Sequence, residues 1–198
     1  DAYGSQETGA GQLLRSQIRS HLTRFLTDYL RPTLRESPVT IIALEERLTR
    51  DWNGFTLAGR LDAVQRRGRN LVVLDYKTGH DRKSHSINFQ KLDLHNRETW
   101  SAAIGTLQLP FYLLLRPEAA CAMFLLLGRT RLDRSIELPL FSDEEEEHRE
   151  LPRLQSVIHA ILQEIVSLDV PFAPTENRKR TCPTCDFNAI CGTRWLTR

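Results

Sequence analysis

Long apolar runs are missing from this sequence of 198 residues, and so is any large excess of charge. No apolar stretch reaches the roughly 18 residues that a transmembrane helix requires, so a membrane-spanning helix is not expected. The formal net charge of only +2 excludes a protein whose whole surface is cationic. With 40% hydrophobic and 26% charged residues, the composition is that of an ordinary globular domain.

Cysteine is also scarce, and its distribution excludes a disulfide-stabilised secreted domain. Four cysteines are present, and three of them, Cys182, Cys185 and Cys191, lie close together near the end of the chain. This clustering predicts a metal site in a protein of the reducing cytoplasm. The fourth, Cys121, lies in a predicted buried strand and is interpreted as a core residue.

The sequence begins at Asp1, and its first ten residues have the composition of a loop. We expect the chain to be a C-terminal fragment of a longer protein. Its length predicts one domain over residues 1–180, followed by a cysteine-rich tail over residues 181–198 that packs on the same domain.

Hydrophobic spacing predicts alternating helices and strands. Residues 10–35 and 98–116 have helical spacing. Pro32 is expected to disrupt or end the first helix, and Pro110 to kink the second. Strands are predicted at residues 39–48, 55–64, 71–76, 121–128 and 135–141, where Pro139 indicates an edge strand. A helix is predicted to begin at a Ser142 cap and to end near Leu168. This order predicts one α/β domain with a central mixed β-sheet flanked by helices.

The predicted third strand, LVVLDYKTG at residues 71–79, ends on polar residues that a buried strand does not need. Asp75 and Lys77 are two residues apart and therefore share a face. Asp62 lies on the preceding strand, and a short turn predicts an antiparallel hairpin that can bring the two acids side by side. Two converging carboxylates repel each other unless a divalent cation joins them, and oxygen ligands favour Mg²⁺ or Mn²⁺.

A lysine beside such a cation can orient a water molecule or stabilise charge on a phosphate, so the pattern predicts metal-dependent hydrolysis. Asp-x-Lys alone is a weak signal, because the same residues often form a surface ion pair. The segments around this dipeptide are more specific.

The segments GRLDAV and LVVLDYKTG together resemble the core of the PD-(D/E)XK nuclease superfamily, in its RecB-like branch. That branch has a glycine and an acid on one strand, then an apolar strand that ends Asp-Tyr-Lys-Thr-Gly. Gly59 and Asp62 match the first element, and residues 75–79 match the second. QLPFY supplies Gln108 and Tyr112 for the Gln-x-x-x-Tyr motif of the branch. The resemblance covers residues 39–195 and implies a restriction-endonuclease-like fold.

The resemblance also implies roles for individual residues. Asp62 and Asp75 would ligate the metal with help from the backbone carbonyl of Tyr76, and Lys77 would position the attacking water. Gln108 and Tyr112 would contact the DNA backbone or brace the site, although helix packing also explains Tyr112. The glutamate usual on the preceding strand would be Glu45, with Glu46 as the second candidate.

The cysteine tail resembles the C-terminal segment with which several RecB-like members bind a 4Fe-4S cluster. Cys182, Cys185 and Cys191 would be three of its ligands, and zinc is the alternative metal. No cysteine precedes Cys121, so the fourth ligand is expected upstream of this fragment, or the site is vestigial. The metal-binding histidine of the branch is also expected upstream, since no glycine pattern precedes His21.

The resemblance therefore implies a metal-dependent DNA nuclease module of recombinational repair, attached to a helicase-like region or subunit. The alternatives are a RecB-like exonuclease of CRISPR adaptation and a non-catalytic DNA-binding scaffold held by its cysteine cluster. Three histidines in a polar loop, His80, His85 and His95, leave DNA contact open. Basic clusters elsewhere can hold phosphates, but solvated arginines are the commoner explanation.

Overall fold

The computed structural model describes residues 9–171 and 178–195 of the chain. Its helices are α1 (Gly9–Arg24), a π-helical segment (Phe25–Leu30), α2 (Arg31–Glu36), α3 (Arg97–Ala103), α4 (Gln108–Leu115), α5 (Glu144–Val166) and α6 (Arg178–Thr181). Its strands are β1 (Val39–Trp52), β2 (Phe55–Arg67), β3 (Asn70–Lys77), β4 (Cys121–Leu126) and β5 (Glu137–Pro139). No helix in these ranges is long and apolar enough to cross a membrane.

The five strands form one mixed sheet in the order β1-β2-β3-β4-β5. β1, β2 and β3 are antiparallel neighbours, β3 pairs with β4 in parallel, and β5 closes the edge antiparallel to β4. Asn53 and Gly54, with φ values of 47° and 83°, form the turn between β1 and β2, because both positions of a tight hairpin turn favour the left-handed region. The predicted α/β class, a mixed sheet flanked by helices, is confirmed.

A hydrophobic cluster covers one face of the sheet. Tyr29 of the π-helical segment packs there with Ala63, Leu74 and Leu125 from three neighbouring strands. Alternate strand residues point to opposite faces, so Asp75 and Phe124 point away from this cluster. Helix α4 packs against β1, β2 and β4. The hydrophobic cluster and the side chains of Asp75 and Phe124 therefore lie on opposite faces of the sheet.

The long helix predicted at residues 98–116 is wrong, because two short helices occupy this range. Helix α3 ends at Ala103 and α4 begins at Gln108, with Gly105 in the connection. A Cβ atom on Gly105 would lie 2.6 Å from the backbone oxygen of Ser84, so the close approach of the preceding loop requires glycine there. Pro110 lies in the first turn of α4, where its missing N–H group costs nothing, and the expected kink is therefore absent.

Two further expectations need correction. The helical spacing of residues 10–35 is real, but Leu14, Ile18 and Leu22 are more than half exposed. Pro32 does not end the helical segment, since it lies at the start of α2, but the regular α-helix is interrupted before it by the π-helical segment Phe25–Leu30. Helix α5 is capped by Asp143, whose carboxylate accepts the N–H of Glu146 at 2.8 Å, rather than by Ser142.

The chain divides into two units, residues 1–160 and 161–198. The first unit contains the sheet with α1 to α4, and the second contains the three clustered cysteines. The predicted division at residues 180 and 181, with the tail packed on the same domain, stays a prediction.

Candidate active site

Strands β2 and β3 bring Asp62 and Asp75 together. Their register pairs Ala63 with Leu74, and one further step places Asp62 opposite Asp75. Ala63 and Leu74 belong to the apolar cluster, so both acids point to the other face of the sheet. The strands separate at this step, and the side chain of Asp62 fills the space: its Oδ2 accepts the backbone N–H of Tyr76 at 3.0 Å.

Asp75 is the centre of a closed set of polar contacts and is only 2% exposed. Its Oδ1 accepts hydrogen bonds from Gln108 Nε2 at 2.6 Å and from the Tyr112 hydroxyl at 3.2 Å. Its Oδ2 lies 2.6 Å from Lys77 Nζ. Lys77 Nζ also donates to Gln108 Oε1 at 2.7 Å. The structure thus unites four residues that the sequence singles out separately.

Helix α4 is placed so that its first residue reaches the strand tip. Gln108 and Tyr112 are four residues apart and lie on the same side of the helix, where Gln108 Nε2 donates to the Tyr112 hydroxyl at 2.7 Å. Gly59 on β2 lies against α4, and a Cβ atom there would lie 2.6 Å from Leu115 Cδ1, so a larger residue would require the leucine side chain to move. The glycine of the sequence motif therefore has a packing role.

Burial has the largest effect on the pKa values of Asp75 and Tyr112. Burial raises the pKa of Asp75, the neighbouring Lys77 opposes this rise, and the charge of Asp62 adds to it. Burial also raises the pKa of Tyr112 to about 12, so its hydroxyl stays protonated and can donate to Asp75. A buried carboxylate next to a second one is an environment that favours an added positive charge.

The donor set fits a hard divalent cation. Asp75 Oδ2 is buried and receives no aligned hydrogen bond, although it lies within ion-pair distance of Lys77. Within residues 9–171 and 178–195, no group of three histidine, cysteine or acidic side chains could hold a metal. Mg²⁺ is commonly bound through one or two carboxylates, with water and substrate oxygens completing its shell, so Asp62 and Asp75 suffice for this type of site.

The two glutamates of β1 have other partners. Glu45 has a φ of 51°, and its carboxylate, 60% exposed, lies 3.0 Å from Arg60 Nε. Glu46 pairs with Arg116 at 2.5 Å. Neither glutamate is hydrogen-bonded to Asp75, so a catalytic role for Glu45 stays a prediction.

Phe124 is a site residue that sequence reasoning missed. It pairs with Asp75 in the parallel register of β3 and β4, and Lys77 Nζ lies 5.0 Å from the centre of its ring. This cation–π contact keeps the ammonium group in place on its apolar side. His85 packs on the same ring, with the two centroids 5.0 Å apart. A parallel register between distant strands carries no local sequence signal, so only the burial of Phe124 could be predicted.

The cysteines of the second unit are free thiols of differing exposure. Cys182 is buried, Cys185 is half-buried and Cys191 is exposed. The part of the chain that the structure describes does not gather them into a three-ligand metal site. Cys121 is half-buried at the start of β4, packs against the apolar cluster and has a pKa raised to about 11 by burial. This placement agrees with the core role expected for Cys121.

Comparison with known proteins decides the family. The family model of the PD-(D/E)XK nuclease superfamily matches residues 2–192. The chain belongs to the PD-(D/E)XK nuclease superfamily. Membership indicates a nuclease, and the mixed sheet with flanking helices is the core that this superfamily predicts.

Other comparisons add little to the PD-(D/E)XK assignment. No curated protein matches the sequence. A solved structure, "Crystal structure of SSO0001", is similar with a TM-score of 0.34 and 18% identity, over 87% of this chain and 67% of its own. A likeness at this level carries no argument about activity.

Proposed function

We propose that the chain is a Mg²⁺- or Mn²⁺-dependent deoxyribonuclease module that hydrolyses phosphodiester bonds. The observation that carries the proposal is the contact set of Asp75, whose buried carboxylate meets Lys77 and Gln108 within 2.6 Å. A divalent cation held by Asp62 and Asp75 would supply positive charge at the phosphate and make a water molecule more acidic.

The side chains of the site bind and orient the reacting groups. Lys77 presents its ammonium group to a phosphate oxygen or to the attacking water, and its bond to Gln108 Oε1 helps to hold the ammonium group in place. Gln108 and Tyr112 fix the orientation of the Asp75 carboxylate from one side. Most of the catalytic work of these residues is therefore positioning and charge stabilisation.

Cleavage of a labelled DNA oligonucleotide in Mn²⁺, with EDTA as the blank, tests the proposal. We expect Lys77→Ala to slow cleavage by about 10²-fold or more, because a charge that stabilises the reacting phosphate is lost. Asp75→Asn keeps the shape of the side chain but removes a ligand charge, and should abolish Mn²⁺-dependent cleavage. Lys91→Ala, which removes an exposed loop lysine, is the matched control and should cleave at the wild-type rate.

Two outcomes would contradict the proposal. Cleavage that persists in Lys77→Ala would remove the role of that lysine. Metal-independent DNA binding without any cleavage would favour a non-catalytic scaffold. Thermal melting of each variant separates loss of chemistry from loss of the fold.

We also propose that the chain is the RecB-like type of module, with a place in recombinational repair beside a helicase-like region or subunit. The Asp-Tyr-Lys-Thr-Gly strand and the Gln-x-x-x-Tyr helix support this, because the helix residues bond to the strand residues. A nuclease of CRISPR adaptation is the alternative within the same branch. A long helicase-like region joined to this domain in one protein would support the first and separates the two.

The spacing of the cysteines in the tail is the observation that supports an iron–sulfur cluster. Cys182, Cys185 and Cys191 match three ligands of a 4Fe-4S cluster, and the fourth would lie outside residues 1–198. The visible absorption spectrum of the full-length protein, together with its iron and zinc content, tests this assignment. Zinc without iron would indicate a structural zinc site instead of an iron–sulfur cluster.

A further inference from the structure

A cavity of about 690 Å³ lies where the parallel strands β3 and β4 end. It is lined by His80, Gly128, Arg129, Thr130, Arg131 and Ser135. Lys77 is the last residue of β3, so the cavity begins only three residues beyond the proposed catalytic lysine. Open α/β sheets bind ligands outside the carboxyl ends of their parallel strands, and this cavity has that position.

The wall of the cavity is fixed by close backbone packing. The N–H of Leu127 donates to the carbonyl of Lys77 at 2.7 Å, and that of Gly128 donates to the carbonyl of Gly79 at 3.2 Å. A Cβ atom on Gly128 would lie 2.2 Å from the carbonyl oxygen of Thr78, so only glycine fits. The two chain segments beyond the strands are therefore held together, and the position of the cavity is tied to Lys77.

Positive charge is concentrated around this cavity. Four arginines line it or contact its lining residues: Arg24, Arg82, Arg129 and Arg131. Arg24 at the end of α1 donates to the carbonyl of Thr130, and Arg82 donates to that of Ser135 at 3.1 Å.

The nearby acids only partly balance these cations. Asp133 lies 2.8 Å from Arg131, and its carboxylate also accepts the N–H of Ser135 at 2.9 Å. Asp81, next to His80, accepts the N–H of Lys83 at 2.9 Å. Two carboxylates against four arginines leave the cavity with an excess of positive charge.

Among these residues, Arg129 gives the strongest indication of an anionic ligand. It is half-buried, yet its guanidinium has no hydrogen bond or ion pair with any residue in the described ranges. An arginine beside a cavity with no ion-pair partner among the described residues is free to bind an anionic ligand. A guanidinium can bind two oxygens of one phosphate at once.

We propose that this basic cleft binds phosphate groups of the nucleic-acid strand whose scissile bond lies at Lys77. The inference rests on the proposed nuclease function and adds a binding site to it. His80 is three residues beyond Lys77, so the two residues lie at most about 10 Å apart. The cleft therefore receives phosphates close to the cleaved bond.

Binding of a fluorescein-labelled single-stranded oligonucleotide, followed by polarisation in EDTA over a range of salt concentrations, tests this inference. We expect Arg129→Ala to weaken binding about tenfold at low salt, because one charge-assisted phosphate contact is lost. The slope of log affinity against log salt should fall by about 0.7. Arg129→Glu should weaken binding further. Because Arg129 has no partner to lose among the described residues, its removal should not lower the melting temperature.

Arg69→Ala is the matched control. Arg69 is an exposed arginine in the turn between β2 and β3, at the opposite end of β3 from the cleft, and its removal should leave affinity and salt slope unchanged. The proposed role of the cleft would be overturned if Arg129→Ala kept the wild-type affinity and salt slope. It would also be overturned if Arg69→Ala lost as much affinity as Arg129→Ala. Wild-type protein that fails to bind the oligonucleotide would overturn it too.

Cleavage in Mn²⁺, measured separately, distinguishes this inference from the proposed function. Binding that depends on Arg129 in a chain that does not cleave would support the cleft and contradict the nuclease assignment. Cleavage that depends on Lys77, combined with binding indifferent to Arg129, would keep the nuclease and overturn the cleft.

Discussion

Gln108 offers the sharpest test of how the site is organised, because two roles remain open for it. It joins the acid and the lysine of the site directly, donating to Asp75 at 2.6 Å and accepting from Lys77 at 2.7 Å. This geometry favours a brace that orients both groups over a contact with the DNA backbone. The replacement Gln108→Ala should therefore affect the dependence on the metal before it affects the affinity for DNA.

The structure sets the size of the effect. The substitution removes two hydrogen bonds to charged groups and a third to the Tyr112 hydroxyl at 2.7 Å. Hydrogen bonds to charged groups are worth about 1.5–3 kcal/mol each, and water replaces part of this because Gln108 is half-buried. We expect a loss of about 2 kcal/mol in the free energy of unfolding. Losing a partner that orients a metal ligand typically weakens metal affinity about 10–100-fold.

The assay is the cleavage rate as a function of Mn²⁺ concentration, repeated at several DNA concentrations. For Gln108→Ala we expect the Mn²⁺ concentration at half-maximal rate to rise about 10–100-fold, with most of the rate recovered at saturating metal. Gln90→Ala, which removes an exposed loop glutamine, is the control. A raised KM for DNA with unchanged metal dependence would refute the brace and identify Gln108 as a DNA contact.

Two further predictions concern the stability of the fold. Burial raises the pKa of Glu137, but hydrogen bonds from Tyr29 and Arg67, both at 2.7 Å, outweigh it and lower the pKa overall. The stability from this carboxylate should be present above pH 4.5 and disappear as the pH falls through the folded-state pKa. Urea titrations at several pH values measure this dependence, and Glu137→Gln should lack it. Gly128→Ala should lower the free energy of unfolding in urea by about 2 kcal/mol, because the new Cβ would meet the Thr78 carbonyl. An unfolding midpoint equal to that of the wild type would show that the backbone at this position shifts to make room.

Much of the site could be predicted because its signals are local. Asp75 and Lys77 lie two apart on one strand, and Gln108 and Tyr112 lie four apart on one helix, so each pair shares a face by periodicity alone. The hairpin turn then brings Asp62 near Asp75. The order of the elements was sufficient for the fold class, because a sheet with alternating helices has few arrangements.

The remainder depends on contacts between distant segments. The pairing of Asp75 with Phe124 follows from a parallel register that no turn specifies. The break between α3 and α4 follows from the passage of the Ser84 backbone beside Gly105, which helical spacing does not reveal. The cleft is a similar case, since His80 and Arg129 look like ordinary loop residues until the ends of β3 and β4 are placed side by side.

The connection from β3 to α4 has one more consequence. The reactive groups stand at its two anchored ends, Lys77 on the strand and Gln108 on the helix, and they bond to each other across it. Lengthening a surface connection costs little entropy while its ends stay fixed. Evolution or a protein engineer could therefore graft new substrate-selecting segments at the exposed turn residues 90 and 91, whereas Leu92, Trp100 and Gly105 tie the rest of the connection to the fold.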